Sequence, residues 1–115
     1  MPELIKLVNL EQDRPTVTQG LLRLERALVV ARQERVALVK LVHGYGSSGV
    51  GGSLRTEVWK ALDHYKRAGS IRDFIPGEQF RISDECSWSL LKRFPQLKQD
   101  RDLGRQNKGI TLVVL

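Results

Sequence analysis

Cysteine is nearly absent from this sequence. Cys86 stands alone, which excludes an intramolecular disulfide framework and a cysteine-built zinc site. No apolar run approaches the length of a membrane-spanning helix, and the opening, MPELIKLVNLEQD, has neither the basic start nor the long apolar core of a secretory signal. The expectation is a cytoplasmic protein that does not engage a membrane. No linker, internal repeat or low-complexity tract divides the 115 residues, so residues 1–115 read as one domain, long enough for about four strands and two or three helices around one core. Acids are scarce too: thirteen Asp and Glu stand against nineteen Lys and Arg, for a net charge of +6. Residues 14–67 carry ten bases and four acids, and so hold most of the excess. A basic surface favours a polyanionic partner, although a solvated, Arg-rich helix face gives the same count.

What is present is a regular alternation of elements. ELIKLVNL (3–10) reads as a short buried strand. TVTQ (16–19) then has the form of a capping box, with Thr16 capping and Gln19 reaching back. Val17, Leu21, Leu24, Leu28 and Ala31 follow at helical spacing, to an end near Glu34. VALVKLV (36–42) is apolar nearly throughout and too short for a helix, which fits a central strand. A second helix follows, with Ser53 as cap, the stripe Leu54, Val58, Leu62 and Tyr65, and Gly69 as stop. SIRDFI (70–75) reads as a third strand and ITLVVL as the last. Between them, Asp84 to Phe94 suggests a short helix capped by Ser83 and closed by Pro95. The expected fold is an α/β (α+β) two-layer sandwich on a four-stranded mixed sheet, in β-α-β-α-β-β order, with an extra helix before the last strand.

Glycine, sparse elsewhere, is concentrated in HGYGSSGVGGS (43–53), which holds Gly44, Gly46, Gly49, Gly51 and Gly52. GYGSSG formally fits G-x-G-x-x-G, but the predicted helix starts well past the third glycine, and no second nucleotide-binding half exists. GSSGVGGS resembles a phosphate loop with Gly52 in place of the essential lysine, which argues against ATP or GTP hydrolysis.

The whole stretch carries a better match. His43, Gly44 and Gly46, followed by Leu54, Arg55, Val58 and Leu62, resemble the strand-ending H-G-x-G and the L-R helix start of the small MutS-related (Smr) domain. NKGITLVVL resembles that family's last strand after an N-x-G turn. The resemblance covers most of the chain. It implies a fold like the C-terminal domain of translation initiation factor three and a nucleic-acid-binding module, DNA or RNA, some members of which nick or cleave. Physical chemistry offers a matching set of contacts. Gly44, Gly46, Gly51 and Gly52 let backbone approach a phosphate, and amides at a helix start near Ser53 can donate to it. Arg55 and Lys60 add charge, and Tyr45 either stacks on a base or plugs the loop.

The cleavage reading is the weaker part of that implication. The family's usual L-D-x-H-G at the end of the first strand is here Val8-Asn9-Leu10-Glu11, so Asn9 replaces a carboxylate and Glu11 a histidine. The catalytic candidates are therefore His43 and Glu11, working with a divalent metal if the chain is a nuclease; no metal ligands are predicted from the sequence itself. His43 reads equally as a structural histidine bonding a loop carbonyl, and His64 as a solvated one. The segment 76–108 departs from the minimal domain as an insertion between the last two strands. Trp88, Leu91 and Phe94 are its expected packing face. Its basic residues alternate with acids, which suggests plain surface or a protein-docking extension. Three functions stay open: nucleic-acid binding, endonuclease action through His43, and a catalytically inactive protein-interaction module.

Overall fold

The computed structural model describes residues 4–45 and 50–115, with 50–52 described by backbone alone. Four strands, β1 (Ile5–Asn9), β2 (Leu38–Val42), β3 (Asp73–Pro76) and β4 (Ile110–Val114), form one sheet in the order β1-β2-β4-β3. β1 runs parallel to β2, while β4 is antiparallel to both β2 and β3. Helices α1 (Val17–Gln33), α2 (Val50–Arg67) and α3 (Glu85–Arg93) complete the expected element order. The sheet is mixed and the class α+β, as the sequence pattern requires.

Side chains alternate across the sheet, and each face has its own core. Val8, Val39, Leu41 and Val113 meet α1 and α2 through Leu24, Leu28, Leu54, Val58 and Leu62. On the other face, Leu38, Ile75, Leu112 and Val114 are covered by Phe80, Leu90, Leu91, Phe94 and Leu97 of the 76–108 segment. The 76–108 segment is therefore a structural layer, packed over this second face of the sheet.

Local chemistry explains the element ends. Thr16 caps α1 in a complete capping box, its hydroxyl accepting from the Gln19 amide at 3.1 Å and the Gln19 side chain accepting from the Thr16 amide at 2.9 Å. Gly20 lies inside α1 because a Cβ there would stand 2.4 Å from Leu54 Cδ1, so the missing side chain lets α1 and α2 approach. α2 stops at Arg67, just ahead of Gly69 at φ +77°.

The structure departs from the sequence pattern in four places. β1 is an edge strand and not a buried one, with Leu7 66% exposed. α2 begins at Val50, so Ser53 is an interior residue and no cap; the run 51–53 extends the helix instead of leading into it. α3 is capped by Asp84, whose carboxylate accepts from the Ser87 amide at 2.9 Å, and not by Ser83. Trp88, expected in the core, is 43% exposed under the Lys92 ammonium, and Leu90 takes its place inside.

Candidate nucleic-acid interface

His43 follows β2 with the parity that turns it toward α2, and it is fully buried. Its Nδ1 lies 2.7 Å from the Gly44 carbonyl oxygen. A carbonyl only accepts, so Nδ1 carries the proton and Nε2 is left with a lone pair. Nε2 lies 2.8 Å from Thr111 Oγ1. The same hydroxyl accepts from the Trp59 indole N–H at 3.0 Å. One arrangement of protons satisfies every group: the indole donates to the hydroxyl, the hydroxyl to Nε2, and Nδ1 to the carbonyl. Burial pushes the His43 pKa below its usual 6.5; the Gly44 bond opposes that, Arg55 pushes it further down, and Glu78 and the Ile110 backbone restore part of it. The ring is neutral, with both nitrogens occupied.

The main chain at His43 and Gly44 is pinned as firmly as the ring. The His43 and Gly44 amides both donate to the Gly109 carbonyl, at 2.9 and 3.1 Å. Gly109 is itself placed by Asn107, whose side-chain oxygen accepts its amide at 2.8 Å, which is the expected N-x-G turn. Gly44 sits at φ +72°, and a Cβ there would lie 2.1 Å from Glu11 Oε2. Glu11 thus lies directly over Gly44, and the end of β1 adjoins the glycine loop. The Leu10 amide reaches the Val42 carbonyl at 2.7 Å. Asn9 closes the turn by accepting from the Glu11 amide at 2.9 Å, a task that needs a side-chain oxygen and no charge. Arg23 holds the longer loop behind it through the Leu10 and Gln12 carbonyls.

The two catalytic candidates are neighbours in the fold without being partners. No hydrogen bond joins Glu11 to His43: the imidazole faces Thr111 and Trp59, while the exposed Glu11 carboxylate has no hydrogen-bond partner among the described residues. Those residues also contain no group of three or more His, Cys, Asp or Glu able to hold a metal ion.

The predicted binding residues divide in the same way. Arg55 does not project a free charge. Both oxygens of Glu78, from the 3₁₀ turn Gly77–Gln79, lie 2.8 Å from its Nη2, and its guanidinium stacks 4.0 Å from the Trp59 ring centre. Its Nε is buried without a partner among the described residues. Lys60 is exposed and pairs with Glu57 one turn back. With α2 starting at Val50, the unbonded first-turn amides belong to residues 50–52, so Gly51 and Gly52 are placed to donate and Ser53 is not. Gly46 lies outside the described residues. Tyr45 is 59% exposed, its ring edge against Gly109.

Beside Tyr45 two clefts adjoin. One, of about 320 Å³, lies between Leu7, Glu11, Lys40, Val42, Tyr45 and the 101–110 loop. The other, of about 670 Å³, runs between Tyr45 and Arg105, Gln106, Asn107 and Lys108. The alternating charges of that loop are sorted in space. Asp100 and Asp102 turn inward to the Lys40 ammonium, and Asn107 donates to Asp102 at 2.9 Å. Burial opposes ionisation of Asp102, but Asn107, Lys40 and Arg101 outweigh it and hold its pKa below the usual carboxylate value. Arg101, Arg105 and Lys108 remain on the outside, without an ion pair to any described acid.

Sequence reasoning did not find Trp59, Thr111, Glu78 or Lys40. Two signals were available: Thr111 is a lone hydroxyl in the apolar run ITLVVL, and Lys40 a lone charge in VALVKLV. A buried polar group requires a partner.

The fold and the loop together define a class, a small α+β domain that presents a glycine-rich strand-to-helix loop against the end of its first strand. More particularly, the chain resembles an Smr domain. It is similar to the crystal structure of the Smr domain of Thermus thermophilus MutS2, with a TM-score of 0.59 and 25% sequence identity over 96% of each chain. No protein-family model matches the sequence, and no curated protein matches it.

Proposed function

We propose that this Smr-like domain binds nucleic acid and does so without using His43 as a reactive group. The observation that carries this reading is the closed hydrogen-bond chain Trp59–Thr111–His43–Gly44. It leaves the imidazole buried, neutral and fully committed, so its work is to fix the loop that carries Gly44 and Tyr45. What faces outward is suited to phosphates: first-turn amides of α2, exposed Tyr45, and the outward bases of the 98–108 loop. Phosphate contacts carry no base information, so binding is expected to show little sequence preference and to weaken steeply with salt.

One observation favours a second reading. Glu11 places over Gly44 a carboxylate with no hydrogen-bond partner among the described residues, where a general base for phosphodiester cleavage would sit. The test is a nicking assay on supercoiled plasmid and a long RNA, with and without a divalent ion, with binding read on the same samples by gel shift. The proposed outcome is a shift without nicking. Nicking lost in Glu11→Gln would establish cleavage instead. Capture of a protein partner that survives nuclease treatment and is lost when the exposed Ile82 and Trp88 of the 76–108 segment are replaced by Ser would favour the interaction-module reading.

A further inference from the structure

The groove beside Tyr45 has three chemically different walls. Its floor is largely apolar: Leu7 and Val42 of the sheet and Ile110 at the start of β4, with the ion-paired Lys40 beside them. Leu7 is 66% exposed there. At the boundary of the two clefts stands the exposed Tyr45 ring, which lines both. The outer wall is the 101–108 loop, with Arg101 on one cleft and Arg105 and Lys108 on the other. Two left-handed positions, Gly104 at φ +75° and Gln106 at φ 54°, shape that wall. Asp102 also lines both clefts, but its carboxylate is engaged by the Lys40 ammonium and the Asn107 amide, and Asp100 pairs with the same lysine, so neither acid pairs with the bases of that wall.

A duplex offers phosphates on its outside and keeps its bases stacked within, so it has no use for an apolar floor or an aromatic platform. An unpaired strand offers both phosphates and free base faces. We infer that this groove takes single-stranded nucleic acid, a base stacking on Tyr45 and the backbone following Arg101, Arg105 and Lys108. The inference rests on the nucleic-acid reading above and adds the substrate class and a binding wall built by the inserted segment. Glu11 lines only the cleft that does not contain Arg105 and Lys108. There its carboxylate repels a phosphate and can accept from a base amino group.

Fluorescence anisotropy at low salt tests the assignment, with a labelled homopyrimidine oligonucleotide and a duplex of the same length as probes. The variants are Tyr45→Ala, Tyr45→Phe, the triple substitution of Arg101, Arg105 and Lys108 by Ala, and Arg26→Ala, at an exposed position of α1, as an off-groove control; thermal melts confirm that each is folded. The single strand is expected to bind more tightly than the duplex. Tyr45→Ala should weaken single-strand binding roughly ten-fold, with Tyr45→Phe close to wild type. The triple variant should lower the steepness of the logarithmic salt dependence by about two. If the wild type binds neither probe, the nucleic-acid reading falls and this inference with it. If it binds both, and Tyr45→Ala and the triple variant change the two affinities equally or not at all, the nucleic-acid reading stands and the single-strand groove is overturned.

Discussion

Thr111 shows how much one hydroxyl can organise. Among the described residues it alone joins the Trp59 indole to the His43 imidazole, and through His43 it fixes the Gly44 carbonyl and the turn on which Tyr45 stands. Thr111→Val keeps the shape and removes the hydroxyl, leaving a half-buried indole N–H and a buried imidazole nitrogen without partners. The expected loss is about 1–3 kcal/mol for each unsatisfied group, read by urea denaturation. His43 also sets a pH dependence. Its folded-state pKa lies below the usual 6.5, so the unfolded chain binds the proton more readily. That contribution to stability is complete above pH 6.5 and is lost as pH falls below it, toward the folded-state pKa. Nitrogen-15 NMR should show a ring protonated at Nδ1 whose titration midpoint lies below the usual 6.5. A freely titrating imidazole would contradict the assigned tautomer. At this scale the sequence was informative wherever partners are close along the chain. The capping box of Thr16 and Gln19 and the turn at Asn107–Gly109 are legible because their atoms are two or three residues apart. The partners of His43, Arg55 and Lys40 lie farther along the chain, and no local pattern announces them.

Among the elements, the order of strands and helices was legible, because the apolar period changes cleanly between them. Ends were less so: where two polar residues stand side by side, as Ser83 and Asp84 do, either could cap, and the longer reach of the carboxylate decides. The start of α2 was misread because glycines weaken a helix by propensity alone. The segment 76–108 was the least legible element. Its alternating charges look like ordinary surface until the sheet supplies Lys40, a residue about sixty positions earlier, to draw the acids inward. That pairing makes a prediction. With both acids and the lysine largely buried, Lys40→Met leaves two carboxylates without their cation and should cost about 3–5 kcal/mol in chemical denaturation. The same loss should be smaller at acid pH. The Asp102 carboxyl has a folded-state pKa below its usual 3.8, so the stability it contributes is full above that value and disappears as pH falls through the lower one. At the other end of the sheet, Gly20→Leu should separate α1 from α2 and destabilise by about 1–3 kcal/mol through overpacking against Leu54.

For the molecule as a whole, the sheet carries two faces with two tasks. α1 and α2 bury one face and hold His43 inside it; the 76–108 segment covers part of the other and leaves a groove beside Tyr45. The net charge of +6 stated that a polyanion was a plausible partner, and the fold shows where some of that charge is free and where, at Arg55, it is already spent on Glu78. The measurement that tests the account most directly is the affinity of the intact chain for a labelled single-stranded oligonucleotide across a range of salt. The account predicts tight binding at low salt and a logarithmic slope near −0.7 for every phosphate contacted. Absence of binding at low salt, or an affinity indifferent to salt, would contradict it.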